Sequence, residues 1–330
     1  MSLGRFALKR SLQGIGVVWG VITVVFALRF VTPGSPINAV APLDASQETR
    51  QAIAAELGLD QPLYVQYGRY VFELLQGDMG RSYIRGQEVT TLVFERLPAT
   101  VELAVAASVV AIVLAIPLGV ISATNRNDPV DYGATLLSLG GISTPNFWLG
   151  IMLILIFAVE FNIFNTSGRG VDVGDVALSV VNAEPFVGTL LTWLAYITLP
   201  AIALGTYFMA LITRLTRSGM LDELSKGYVQ AARAKGLPGT LIRYKHALRN
   251  TLIPVITVLG LQLGTLIGGA VITEAVFSWP GLGTLVIESI NQRDWPALQG
   301  SLIVIGTSFV LVNILVDIVY AYLDPEVVTD

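Results

Sequence analysis

The sequence predicts an all-α integral membrane protein with six transmembrane helices and both termini in the cytoplasm. Three observations predict it. Of 330 residues, 53% are hydrophobic and 13% charged, against roughly 25% charged in a soluble domain. Six runs of 18 residues or more contain no Asp, Glu, Lys or Arg: 11–28, 103–125, 132–159, 185–213, 250–273 and 295–316. Crossing a bilayer takes roughly 20 apolar residues. Finally, the basic residues gather on one side. With the N-terminus inside, the inner segments 1–10, 126–131 and 214–249 hold 3, 1 and 8 Lys+Arg; the outer loops 160–184 and 274–294 hold one each, Arg169 and Arg293. Inner loops of membrane proteins carry this excess; the outer segment 30–102 is too long for the rule.

The first run follows Arg5, Lys9 and Arg10, as in a secretory leader, but no small-x-small cleavage site comes after it. An uncleaved first span is expected. Residues 32–97 are mostly polar and are expected to form a small extracytoplasmic domain. It has helices at 47–57 and 64–75, with Pro62 and Gly77 as punctuation. Pro117, Pro145 and Pro200 lie in or near the second, third and fourth runs. Proline frees a carbonyl and kinks a membrane helix, as a hinge or as static shaping. The fifth run carries Gly260, Gly264 and Gly268, with Gln262 between two of them. Small residues four apart let helices approach closely, within this chain or across to a second membrane chain. Glu102, Glu274, Glu288 and Asp317 stand close to run ends, where snorkelling or interfacial pairing is expected. No carboxylate lies deep in a run, which argues against proton coupling.

Several chemistries are excluded. There is no Cys, one His (His246) and no Gly-Lys dipeptide. Disulfides, thiol catalysis, a multi-histidine zinc site and a phosphate-cradling loop therefore fall away. No nucleophile–base pair stands out, so a non-catalytic chain without cofactor or metal is expected. The net charge of −4 averages regions of opposite sign, and nothing points to nucleic acid. Asn165-Thr-Ser167 matches a short glycosylation sequon, a pattern frequent by chance.

The segment 214–249 is the most informative. Its 8 basic residues stand against Asp222 and Glu223. A short helix is expected at 228–235, capped by Gly236 and stopped by Pro238. Ala231 and Ala232 give it a shallow face, flanked by Arg233 and Lys235. A second helical stretch, 240–250, leads toward Pro254. Such a loop either rests on anionic headgroups or docks against another protein.

Ala231-Ala-x-x-x-Gly236, followed by His246-Ala-Leu-Arg-Asn250, resembles the cytoplasmic coupling motif of type I ABC importer permeases. More narrowly, the chain resembles their dipeptide/oligopeptide/nickel group. The ordered stretches that carry this include Leu57-Gly-Leu-Asp-Gln-Pro62, Gly77-Asp-Met-Gly-Arg-Ser82, Glu95-Arg-Leu-Pro-Ala-Thr100, Pro145-Asn-Phe-Trp-Leu-Gly150, Phe277-Ser-Trp-Pro-Gly-Leu-Gly283, Arg293-Asp-Trp-Pro296, Asp317-Ile-Val-Tyr320 and Leu323-Asp-Pro325. Gln230 replaces a usual Glu, Gly227 a commonly acidic residue, and Glu326 the usual Arg. The resemblance implies an N-terminal permease region at 1–97, a transmembrane domain at 98–323 and a short tail at 324–330. It implies an ATPase-coupling site at Tyr228, Gln230, Ala231, Ala232, Arg233, Lys235, Gly236, His246, Arg249 and Asn250. Gly77, Asp78, Gly80, Arg81 and Ser82 become candidates for docking a binding protein. The implied partners are a second homologous permease, two ATPase subunits holding ATP and magnesium, an extracytoplasmic solute-binding protein and membrane lipid. Nickel, oligosaccharide or glutathione are alternative cargoes, and a secondary carrier or channel subunit is the alternative class.

Overall fold

The computed structural model describes residues 3–31, 37, 41, 45–56, 58–181 and 185–323. The short tail 324–330 lies outside the described residues. Among those described there is no strand, only a single bridge between Arg81 and Glu88.

Four charge-free runs become the cores of single long helices. The first lies in α1 (Leu3–Val31). Two short helices follow, α2 (Gln47–Glu56) and α3 (Leu63–Leu75), within a residue of the expected bounds at each end. The second run lies in α4 (Val89–Thr124). The third does not form one straight span. It makes α5 (Pro129–Ser143) and α6 (Asn146–Leu153), the latter continuing as a π-helix over Ile154–Glu160. The two arms are bent by 109°. The cause is local: the ring of Pro145 disfavours a helical residue before it, and Thr144 is extended at φ −89°, ψ 123°.

An outer helix, α7 (Val173–Val181), precedes the fourth run in α8 (Phe186–Ser225). Next come α9 (Gly227–Ala234) and α10 (Gly239–Leu241). The latter passes through a π-helix, Ile242–Ala247, into α11 (Leu248–Val276), which holds the fifth run. This run also bends, by 44° between Gly239–Leu252 and Pro254–Leu266. A short α12 (Leu282–Gln292) and α13 (Trp295–Leu323) complete the order. Four described helices are thus long and apolar enough to cross a membrane. The total reaches six if each bent pair counts as one span.

Small residues set the packing. Ala99, Leu103, Ala107, Ala111 and Ala115 recur every fourth position of α4 and are buried against Ile197, Ala201, Leu204 and Phe208 of α8. Alanine lets the two backbones close in. A Cβ on Gly205 would lie 2.7 Å from the Ala107 carbonyl oxygen, so only glycine fits. The fifth-run glycines divide. Gly260 packs on Val316 of α13, Gly264 on Asn313 and Phe309 of α13, and Gly268 has nothing within 4 Å of an added Cβ.

The carboxylates close to run ends also divide. Glu102 pairs with Arg169, Glu288 with Arg85 at 2.6 Å and Asp317 with Arg10 at 3.2 Å. Glu274 does not snorkel or pair at an interface; it is fully buried. Its carboxylate accepts the backbone N–H of Gly283 at 2.7 Å and Thr284 at 3.1 Å, and the Thr100 hydroxyl at 2.7 Å. The first N–H groups of α12 have no partner within that helix, and Glu274 supplies one from the end of α11. Trp279 seals the turn, donating its indole N–H to the Ala99 carbonyl at 2.8 Å.

Candidate functional site

The candidate site is built at one end of α8. That helix has 40 residues, about 60 Å at 1.5 Å per residue. A bilayer core is about 30 Å thick. The helix is thus longer than one crossing requires, and its C-terminal turns carry Arg214, Arg217, Asp222 and Glu223, with α9 following directly after them. The break between α8 and α9 is Lys226, extended at φ −71°, ψ 151°. The end of α9 follows the glycine rule: Gly236 has φ +76°, a conformation costly for side chains with a Cβ. Its N–H bonds the Arg233 carbonyl at 3.0 Å. The observed bounds differ from 228–235 by one residue at each end.

The residues of α9 sort by face. Val229 is wholly buried and points inward. Gln230, Ala231, Arg233 and Lys235 are exposed, as is Gly236 beyond them; Ala232 is half-buried. The outward surface is therefore shallow, with basic side chains at its edge. His246 sits half-buried in the π-helix, while Arg249 and Asn250 are exposed at the start of α11.

One residue that sequence reading passed over joins these elements. Glu223, near the end of α8, is 9% exposed. Its carboxylate receives the Lys226 ammonium at 2.5 Å and the Tyr228 hydroxyl at 2.6 Å. The Asn250 amide donates to the same carboxylate at 3.3 Å and to the Tyr228 oxygen at 3.2 Å. Three elements, α8, α9 and α11, thus meet on one carboxylate. The hydrogen bond to Glu223 holds the Lys226 ammonium above the ordinary lysine range. A second joint lies alongside. Arg217 of α8 grips Asp131 of α5 through two bonds of 2.7 Å, and the Asn127 N–H donates to the same carboxylate at 3.0 Å. Beneath both, Val120, Ala123, Met220 and Ala247 form a small buried cluster. The only sequence signal for these joints was charge between the apolar runs, with partners 86 positions apart in one case.

At the other end of the molecule, the Gly77–Ser82 stretch is a tight loop. Gly77 and Gly80 have φ of +83° and +81°, and the Asp78 carboxylate accepts the Gly80 N–H at 2.8 Å. Gly77, Asp78, Gly80 and Arg81 are exposed, but Ser82 is buried. Its hydroxyl donates to Asp294, which also accepts the Tyr83 N–H at 3.2 Å. Ser82 is therefore a tether between the loop and the α12–α13 junction, while its neighbours face outward.

Residues 115–329 match the family model described as binding-protein-dependent transport system inner membrane component, and residues 3–104 match that of its N-terminal part. The chain belongs to this family. It is 39% identical to the dipeptide transport system permease protein of Alkalihalophilus pseudofirmus, with 98% of each chain covered. The same identity and cover hold for the dipeptide transport system permease protein of Escherichia coli. Identity to the oligopeptide transport system permease protein of Bacillus subtilis is 36%, covering 98% of this chain and 99% of that one. The family membership and the apolar helices make this a multi-pass membrane protein. As a member of a binding-protein-dependent system, it works with other subunits.

Proposed function

We propose that this chain is the permease subunit of an ATP-driven importer of dipeptides or oligopeptides in a prokaryotic cytoplasmic membrane. The observation that carries the reading is the end-to-end likeness to dipeptide and oligopeptide permeases, over 98% of this chain. The projecting helix α9 supports it mechanically. Its outward face is shallow and its inward face is fastened to two long helices. The proposed complex holds a second permease, two ATPase subunits and an extracytoplasmic binding protein. In this reading each bent pair makes one span, six spans in all, with both termini inside. ATP binding closes the ATPase pair and moves α9; the Glu223 and Asp131 joints pass that movement to α8, α11 and α5. The permease pair opens outward, receives the peptide, and returns on hydrolysis. Chemistry stays with the ATPases.

The test is uptake in vesicles holding the reconstituted complex and its binding protein. Labelled dipeptides and tripeptides are compared with nickel, an oligosaccharide and glutathione, each with ATP or with an ion gradient alone. Peptide uptake that needs ATP is expected. Uptake driven by a gradient without ATP would make the chain a secondary carrier. ATP-driven uptake of only a non-peptide would change the cargo and keep the class.

A further inference from the structure

Helix α3 was expected to stand in a polar outer domain. Its contacts add that one side of it packs directly on α1. The hydroxyls of Tyr67 and Thr23 share a hydrogen bond of 2.7 Å. Phe26 of α1 meets the rings of Tyr67 at 5.2 Å and Tyr70 at 5.4 Å between centroids. Thr23 is not at the end of the apolar run of α1. It lies five residues inside the outer limit at Leu28, about 7 Å at 1.5 Å per residue. On the other sides of α1 at this level, Trp19 and Val24 are 60% and 61% exposed. Along an apolar membrane helix these faces meet hydrocarbon. The inner arc of α3 therefore reaches α1 at membrane depth.

Successive residues turn by 100°, so α3 presents three arcs. One holds Tyr67 and Tyr70, turned to α1. A second holds Gln66, Arg69 and Glu73, where Arg69 and Glu73 pair at 2.7 Å. The third holds Tyr64, Phe72 and Leu75, exposed by 78%, 62% and 81%. This third arc has no Asp, Glu, Lys or Arg. An apolar arc opposite a charged one, at this depth, is the signature of a helix lying in a bilayer interface.

We propose that α3 is an interfacial helix, with Tyr64, Phe72 and Leu75 inserted in the outer leaflet and the Arg69–Glu73 arc facing water. The lipid surface then fixes the height of the outer domain over the membrane. The inference rests on the membrane-spanning reading of α1 and does not depend on cargo or on ATP.

The chain has no cysteine, so spin labels at single cysteines report cleanly. Phe72→Cys, Leu75→Cys, Arg69→Cys and, in mid-span, Ile15→Cys are labelled in the full chain within phosphatidylcholine–phosphatidylglycerol bilayers. Collisions with oxygen are compared with those of a water-soluble nickel chelate. A several-fold excess of oxygen over nickel is expected at 72, 75 and 15, and the reverse at 69. Nickel excess at 72 and 75 with oxygen excess at 15 would place α3 in water and overturn the proposal. Protection of 72 and 75 from both reagents would mean that protein covers the arc, which overturns it too. Nickel access at 15 would remove α1 from the membrane, and the proposal with it.

Discussion

Single residues decide how motion at α9 reaches the bundle. Glu223 has three partners, Lys226 in the break, Tyr228 on α9 and Asn250 on α11, so its loss frees each at once. Hydrogen bonds to a charged group contribute about 1.5–3 kcal/mol each. The Lys226 contact is exposed and contributes less. In Glu223→Ala we expect ATPase subunits to remain bound and to hydrolyse ATP, while peptide delivered per ATP falls several-fold. Glu223→Asp should recover part of the loss, because the carboxylate stays but reaches less far. Measured on purified complexes, an unchanged transport-to-hydrolysis ratio in the alanine variant would show that the joint carries no motion. Gly236 acts differently. Its φ of +76° costs a residue with a Cβ about 1–2 kcal/mol, while no atom crowds the added Cβ. Gly236→Val is expected to loosen the end of α9 without disturbing the spans. None of the buried joints was legible in the sequence. Asp131 and Asp294 look like ordinary charges at the edge of an apolar run, and Glu223 like one more charge in the segment 214–249. What marks them is a partner brought close only by folding.

At the scale of elements, α9 and α11 were legible because their signals are local. The Ala-Ala face, the capping Gly236 and the blocking Pro238 fix α9 to within one residue. The proposed docking role predicts that bulk on its shallow face is resisted. Ala232→Trp should therefore release the ATPase subunits, or abolish uptake while hydrolysis continues, with membrane insertion unchanged. A helix that merely rests on lipid would tolerate tryptophan there, and losing Arg233 and Lys235 would matter more. Co-purification of ATPase with each variant separates the two readings. In α11 the glycines have different neighbours. Leucine at Gly264 would meet Asn313 at 2.9 Å and Phe309 at 3.0 Å from the Cβ alone. Overpacking of this kind costs about 1–3 kcal/mol or more. Gly264→Leu should thus weaken the α11–α13 contact, seen as a lower unfolding temperature in detergent and reduced uptake. Gly268→Leu, with open space around it, should leave that temperature unchanged. The even four-residue spacing did not reveal this difference, since it reports a face and not what lies opposite.

For the molecule as a whole, composition alone announced a membrane protein, because long charge-free runs have no other common explanation at this length. The path through the membrane was less legible. A hydropathy run shows that a segment is apolar and not that it is straight. The 109° bend at Pro145 comes from one residue pair inside an unbroken apolar run. Whether both bent pairs cross is a question of sidedness, which the basic residues address. With 8 Lys+Arg in 214–249, the expected arrangement puts α9 inside and the α2 and 160–184 segments outside. Each segment has a usable position: Gln51 on α2 and Ser225 before α9 are exposed, and Asp172 is half-buried beside Arg169. Single cysteines at 51 and 172 should react with an impermeant maleimide in intact cells. One at 225 should react only after lysis. Between Asp172 and Ser225 lies a single long helix, α8, so opposite labelling of these two fixes α8 as a crossing. Between Gln51 and Asp172 lie α4 and the bent pair. Equal labelling of those two then requires the bent pair to cross back, since α4 alone would leave 172 inside. Labelling of 225 in intact cells would reverse the orientation; labelling of 51 but not 172 would make the bent pair a re-entrant hairpin and reduce the count below six.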